Sequence, residues 1–238
     1  MIKGFLPGTI TILAGVTSSG KTTFLGNIAA NIAVEQNKKV LIYSLESGHA
    51  ITAPIHSIYG DEEIENLKIV APDVGISYLE IEAHIRSNLH LADIIFIDHI
   101  HYLVPDLGEQ MQAKIGVLIR NFQTLARDIE TPVVIVAHTR KLISDSAIPT
   151  LNDLKDSSAL FQDPDCVIFV HRFKKNAQEI AVNSEQLFAN NGLVIVAKNR
   201  QFQTTGTLKL EGDPDNKVIA VQNQWADGRK VCPDDLLY

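Results

Sequence analysis

Short apolar runs alternate with longer amphipathic stretches along the chain. Thr9–Ala14 predicts a strand, a glycine-rich loop follows it, and the stretch from Lys21 to about Gln36 predicts a helix. Val40–Ser44 predicts a second strand, and Tyr78–Asn88 carries Leu79, Ala83 and Ile85 at near-helical spacing. Asp93–Asp98, Val133–Ala137, Val167–Val170 and Leu193–Ala197 are further apolar runs of strand length. Within Gly108–Asp128, Ile115, Leu118, Ile119, Phe122 and Leu125 step at three and four, which predicts a helix with one buried stripe. Strands apolar on both faces and separated by helices indicate a mostly parallel sheet covered on both sides. After Phe161 the helices thin out. Thr207–Leu210 and Val218–Val221, around the Gly-Asp-Pro-Asp turn at 212–215, predict an antiparallel hairpin at the sheet edge. No linker, repeat or low-complexity segment divides the chain, so residues 1–238 are expected to form a single α/β domain.

Composition narrows the class. A chain of 238 residues with 45% hydrophobic and 21% charged positions is neither a disordered tail, a collagen nor a coiled-coil rod. Its two cysteines, Cys166 and Cys232, are too few for a secreted disulfide framework and lack zinc spacing. No apolar run reaches the roughly 18 residues of a membrane span, and Met1-Ile2-Lys3-Gly4 lacks the layout of a signal peptide. The chain therefore reads as intracellular, in the cytoplasm. Its 21 basic against 28 acidic residues leave a net charge of −7, so nucleic acid could be held only in a local basic channel.

Gly15-Val16-Thr17-Ser18-Ser19-Gly20-Lys21-Thr22 fits G-x-x-x-x-G-K-[ST], the Walker A pattern, between a strand and a helix. Chance alone gives this pattern in roughly 0.5% of chains of such composition, before the strand and helix are demanded. Glycines let backbone N–H groups turn inward around phosphate oxygens, and the helix N-terminus adds partial positive charge. Lys21 would reach the β and γ phosphates, and the Thr22 hydroxyl would ligate magnesium. Gly15, Thr17, Ser18, Ser19, Gly20, Lys21, Thr22 and Thr23 are the candidate nucleotide-binding residues, with ATP and Mg2+ as the implied ligands.

Ile94-Ile95-Phe96-Ile97-Asp98 is an apolar strand ending in a carboxylate, at the sheet edge that faces the ligand crevice of open α/β folds. Asp98 there would hold the magnesium, directly or through water. Glu46, in Ser44-Leu45-Glu46, stands at the same edge and can act as general base for the attacking water. Taken alone, Glu46 reads as a solvated loop glutamate.

Together these pieces resemble the RecA-like ATPase domain of ring-shaped replicative helicases: the bacterial DnaB type, the phage primase–helicases and mitochondrial Twinkle. The resemblance runs from Gly4-Phe5-Leu6-Pro7-Gly8-Thr9 through the phosphate loop, Ser44-Leu45-Glu46 and the Asp98 strand to Ala137-His138-Thr139-Arg140-Lys141. It continues through Asp153-Leu154-Lys155-Asp156-Ser157-Ser158-Ala159-Leu160 with Gln162, Asp165 and Arg172, and ends at Lys198-Asn199-Arg200 with Thr205-Gly206. His138, where DnaB proteins usually carry glutamine, and the longer spacing from Arg200 to Gly206 favour the phage and Twinkle branch. The resemblance implies Glu46 as the catalytic base, His138 as a γ-phosphate sensor and Gln162 as a residue coupling nucleotide state to the DNA loop. It also implies that Arg172 lies near the nucleotide base, although a surface salt bridge would explain it as well. Lys198 and Arg200, one residue apart and so on one side of their strand, resemble the pair that reaches the neighbouring subunit's γ-phosphate, with Arg200 as arginine finger.

In related rings the segments opened by Arg140, Lys141 and Lys155 line a pore and track single-stranded DNA, which needs only a few contacts per subunit. Arg140, Lys141, Lys155, Asp156 and Ser158 are the DNA-binding candidates. Lys155 replaces the family's usual arginine and Ser158 a usual glycine, while Asp145, Asp153 and Asp156 dilute the charge. No primase or helical N-terminal domain precedes Gly4, which fits either an excised domain or a minimal ATPase. The expected partners are single-stranded DNA and further copies of the chain, in a ring expected to be hexameric, with no membrane. The expected activity is that of an ATP-dependent, 5′→3′ translocating helicase motor; the alternative is a stand-alone regulatory or recombination ATPase of the KaiC or RadA kind.

Overall fold

A computed structural model describes residues 4–46, 48–60, 62–72, 75–104, 110–143, 147–154, 158–174, 188–211 and 220–225. The strands are β1 (Ile10–Gly15), β2 (Val40–Ser44), β3 (Leu67–Val70), β4 (Ile94–Asp98), β5 (Val133–His138), β6 (Cys166–Lys174), β7 (Phe188–Asn199), β8 (Gly206–Glu211) and β9 (Ala220–Trp225). The α-helices are α1 (Lys21–Glu35), α2 (Gly48–Tyr59), α3 (Tyr78–Ser87), α4 (Met111–Asp128) and the short α5 (Ala159–Gln162). All nine strands join one sheet in the order β3-β2-β4-β5-β1-β6-β7-β8-β9. From β3 to β6 every pairing is parallel, and β6 to β9 are antiparallel.

Alternation along the buried strands divides the core in two. Ile10, Ile12 and Ala14 of β1 and Val133, Ile135 and Ala137 of β5 face a cluster built with α3, α4 and α5. Leu13, Val134 and Val136 face the opposite cluster, built with α1 and α2. Helices on both faces explain why these strands lack a polar side. Near one end of the first cluster, Tyr78 of α3 meets the fully buried Phe122 edge-on at 5.0 Å, and its hydroxyl donates to the Asn121 carbonyl. Ser77 opens α3 with a capping box to Glu80, which satisfies two orphan N–H groups.

Four sequence expectations change. Ile81 and Ile85 form the buried face of α3, whereas Leu79, grouped with Ile85 by spacing, is 73% exposed. The antiparallel region begins one strand earlier than the expected hairpin, because β7 runs back along β6 before β8 and β9 follow. β9 extends to Trp225, while Val218 and the turn at 212–215 lie outside the described residues. Finally, α2 and β3 had no signal in the pattern. α2 carries Pro54 inside it, and β3 is a four-residue edge strand with no fully buried position.

The exposure difference within one sheet face gives a stability prediction. Phe122→Ala removes a fully buried ring from the α4 stripe and is expected to cost about 3–5 kcal/mol. Leu79→Ala is expected to fall within about 0.5 kcal/mol of the parent. Urea denaturation of the two variants checks both values.

Candidate functional site

Parallel pairing assembles the site at the edge where the first six strands end. Ser44 of β2 lies level with Asp98 of β4, so Glu46 emerges beside the Asp98 carboxylate, and the Leu45 N–H donates to the Asp98 carbonyl at 2.6 Å. Gly15 of β1 lies level with His138 of β5, and the chain turns directly from Gly15 through the phosphate loop into α1. β1 sits between strands reached in opposite directions, the switch point where ligands of open α/β sheets bind.

Two glycines of the loop are dictated by space and backbone. A Cβ on Gly15 would stand 2.5 Å from the Val170 carbonyl and 2.5 Å from Ser19 Oγ. Gly20 has φ +86°, and a Cβ there would meet Arg172 Cδ at 3.2 Å. Arg172 is thus packed over the loop, half-buried, with burial lowering its pKa. Thr17 and Ser18 are exposed on the loop's outer side, and Thr22 and Thr23 open α1 half-buried.

The charged groups are close and poorly solvated. Lys21 is 6% exposed and its Nζ donates to the Val16 carbonyl at 2.8 Å. Burial lowers its pKa to about 8, against the opposing pull of Asp98 and Glu46. Asp98 is 2% exposed and accepts from Thr22 Oγ1 at 3.0 Å. Burial raises its carboxyl to about 6; Glu46 adds to the rise, while the Thr22 hydrogen bond and Lys21 oppose it. Among the described residues, Asp98 Oδ1 and Ser19 Oγ are buried without a hydrogen-bond partner. Buried polar atoms left unpaired are costly, so these two oxygens suit a ligand that completes them.

The donor set fits a magnesium nucleotide. Among the described residues no group of three His, Cys, Asp or Glu side chains is arranged to hold a metal by itself. Magnesium, however, is usually held by one or two carboxylates, substrate phosphates and water. Thr22 and Asp98 are the residues that would supply the protein's share of such a shell.

Beyond Asp98 the edge pairs the sequence-derived His138 with His99, which the sequence-derived site lacked. His99 Nε2 stands 3.0 Å from His138 Nε2 and 3.9 Å from Glu46 Oε2. His99 is 7% exposed, its ring meets that of His138 at 4.3 Å, and His101 and Tyr102 pack beside it. Burial, then the neighbouring His138, His101 and Lys21, push its pKa down to about 3. The sequence signal for it was weak: strand alternation alone would turn the residue after Asp98 to the other face, and only the chain's path beyond β4 brings His99 to His138.

The remaining candidates lie elsewhere. Arg140 is turned onto its own loop: its N–H donates to the Asp153 carbonyl, its guanidinium donates to the Asn152 carbonyl, and Nε stands 3.5 Å from Asp153 Oδ1. Burial pushes the Asp153 carboxyl up, but Thr150 hydrogen bonds and Arg140 outweigh it and hold the group below its usual range. Lys141 is exposed, Ser158 precedes α5, and Lys155 and Asp156 lie outside the described residues. Lys198 Nζ donates to the carbonyls of Phe161 (2.6 Å) and Gln162 (2.8 Å), and Arg200 donates to those of Gln162 and Asp163. Burial, with Arg200 beside it, lowers the Lys198 pKa despite Asp165 and Asp163. Gln162, Lys198 and Arg200 therefore form a second cluster. Asn199 pairs with Cys166, which is level with Thr11, four residues before Gly15. At about 3.3 Å per residue this cluster sits about 13 Å back along the strands from the phosphate loop.

The chain matches the family described as DnaB-like helicase C terminal domain over residues 1–53 and 50–217. It is 28% identical over 248 residues to a probable plasmid replicative DNA helicase of Chlamydia muridarum (strain MoPn / Nigg), covering 92% of this chain and 52% of that protein. It is 25% identical over 242 residues to the replicative DNA helicase DnaB of Geobacillus stearothermophilus, covering 88% and 52%. The chain thus spans about half the length of these curated relatives. In fold it is similar to a solved structure of a DnaB-like replicative helicase studied with primase, at TM-score 0.72 and 22% identity, covering 91% of this chain and 58% of that one. A solved ATPase domain superposes as well, at TM-score 0.72 and 21% identity, covering 92% and 86%.

Lys21 gives the site a pH signature. Its ligand-free folded pKa of about 8 lies below the 10.5 of an exposed lysine, so between these values the unfolded chain holds the extra proton. Stability from this group therefore rises with pH across that window and is lost as pH falls through 8. Ligand-free Lys21→Met is expected to lose that part of the slope, read as the difference between the two proteins' urea midpoints from pH 7.5 to 10.

Proposed function

The chain belongs to the DnaB-like helicase C terminal domain family, and from that premise we propose that it is the ATP-hydrolysing motor of a ring-shaped replicative helicase, moving 5′→3′ on single-stranded DNA. One observation carries the reading: the cationic pair Lys198–Arg200 stands at the opposite edge of the sheet from the phosphate loop. Neither side chain can span about 13 Å of strand to its own loop. In a head-to-tail assembly the pair of one copy meets the phosphate loop of the next, and Arg200 there offsets charge in the transition state, an effect worth on the order of 10³–10⁵ in rate.

Within one subunit the loop N–H groups from Thr17 to Thr23 cradle the phosphates and Lys21 holds the β and γ oxygens. Thr22 and Asp98 hold magnesium, which when bound neutralises charge between those phosphates. Glu46, exposed and beside Asp98, accepts a proton from the attacking water. His138 senses the γ-phosphate, and Arg172 lies along the base. Arg140 fixes the base of the candidate DNA loop while Lys141 faces outward, and Ser158, with Lys155 and Asp156 outside the described residues, completes the proposed DNA contacts. Gln162, whose carbonyl receives both Lys198 and Arg200, couples the trans pair to that path. No helix among the described residues is long and apolar enough to cross a membrane. The relatives it matches are named as replicative helicases, so the regulatory or recombination reading is set aside.

Mixing two defective subunits tests the trans site. Glu46→Gln is expected to bind ATP while turnover falls by roughly 10²–10⁴, and Arg200→Ala is expected to lose turnover with nucleotide binding intact. Combined, they create interfaces that join an intact base to an intact finger, so activity should rise to a maximum near equal shares of the two variants and vanish at either extreme. Mixed assemblies that form, by native mass spectrometry, but recover no turnover would overturn the reading.

A further inference from the structure

We propose that the end of α5 is a latch for Lys198 and Arg200: an unassembled subunit keeps the pair on its own carbonyls, and engagement of a neighbour's nucleotide frees α5. The proposal rests on the reading of this pair as reaching the phosphate loop of the next copy.

Several elements converge on the latch. β7 pairs Val196 with Ile168 and Lys198 with Val167, so Ala197 is an extra residue at a bulge. Regular alternation would put Lys198 on the side of Val196, which faces α1. The bulge sets it opposite Val167 instead, on the side of α4 and α5. There α5 spans only Ala159–Gln162, and its last carbonyls have no partner inside the helix. Lys198 Nζ donates to those of Phe161 and Gln162 at 2.6 and 2.8 Å, and Arg200 donates to that of Asp163 at 3.2 Å and to that of Gln162. α4 pins the same turn: Gln123 Nε2 donates to the Asp163 carbonyl at 3.2 Å, and Arg120 stands 3.6 Å from the Asp163 carboxylate. The N–H groups of Phe161 and Gln162 donate to the Ser158 carbonyl at 3.1 and 2.9 Å, so the clasped turn also carries that DNA-binding candidate.

The clasp is rich in hydrogen bonds and poor in charge. Two cations share the Gln162 carbonyl, and neutral carbonyls return only partial negative charge. Burial, then the adjacent Arg200, lowers the Lys198 pKa. Hydrogen bonds to an ionised acceptor are about twice as strong as those to a neutral one, so a triphosphate brought within reach by assembly draws the pair away. Side chains turned to that phosphate leave the carbonyls of residues 161–163, and the two engagements exclude each other. Nucleotide held by one subunit is thereby registered in α5 of the subunit that lends the pair.

Hydrogen–deuterium exchange of the peptide covering residues 158–165, read by mass spectrometry, tests the latch. In dilute, ligand-free protein that native mass spectrometry shows to be unassembled, K198A/R200A should speed exchange of the α5 amides about tenfold over the parent. Should the double variant fail to fold, R200A alone, which keeps both Lys198 bonds, should give an intermediate rate. In Glu46→Gln assemblies loaded with magnesium ATP, the same amides should exchange as fast as in the unclasped variant. Magnesium ATP added to unassembled subunits should leave them protected. Equal exchange in the parent and the unclasped variant would overturn the proposal. So would full protection in nucleotide-loaded assemblies whose subunit mixing restores turnover, a result that leaves the trans reading standing. Loaded assemblies that recover no turnover on mixing would overturn the trans reading beneath it.

Discussion

Parallel pairing holds Ser44 level with Asp98 and Gly15 level with His138, and the site is the consequence of those two registers. Side chains alternate with a period of two, so a slip of one residue in β4 would turn Asp98 to the other face and bring an isoleucine to Thr22. Such a slip is opposed over the whole length of the strands. Ile95 and Ile97 would leave the α4 side of the core, and Ile94 and Phe96 would leave the α1 side. The same apolar residues that exclude water from the sheet therefore fix the geometry of the charged edge.

That edge is held away from its own electrostatic optimum. Lys21 and Asp98 are both buried, each with a pKa displaced toward its neutral form, and two hydroxyl and carboxylate oxygens nearby lack partners. None of this favours the ligand-free fold. The magnesium nucleotide proposed for this site would bring the opposite charges and the missing hydrogen-bond partners together, so the cost of desolvation, already borne by folding, would not be met again on binding. The arrangement at the rear edge differs in kind. Lys198 and Arg200 are satisfied by carbonyls at the end of α5.

Most of the front edge was legible in the sequence because each part of it carries a local signature. The glycines at 15 and 20 answer to a close approach and a positive φ, and Asp98 ends an unbroken apolar strand. What escaped was set by tertiary contact. Leu79 and Ile81 are both apolar on α3, and only the position of the sheet decides which is inside. α2 hides its periodicity behind Pro54, and β3 is too short and too exposed to alternate clearly. Arg140 entered through the family resemblance, and its engagement by Asn152 and Asp153, which no local pattern records, depends on the loop folding back through the Thr139–Leu154 bridge. The His99–His138 contact joins the ends of two strands 39 residues apart in sequence, which no local pattern records.

In the assembly proposed above, the two clusters at opposite edges of one sheet would make the assembling surfaces unlike each other. Such surfaces cannot pair about a two-fold axis; they join head to tail, and the result is either a closed ring or an open filament. In an open row the last copy at one end has a phosphate loop with no finger, and the copy at the other end has a finger with no loop. A row of n subunits then contains n − 1 competent junctions, and only closure supplies the nth. On the proposed head-to-tail assembly, ring closure would be a stoichiometric event as well as a topological one: a ring that opened to admit a strand would idle one of its sites, and resealing would restore it.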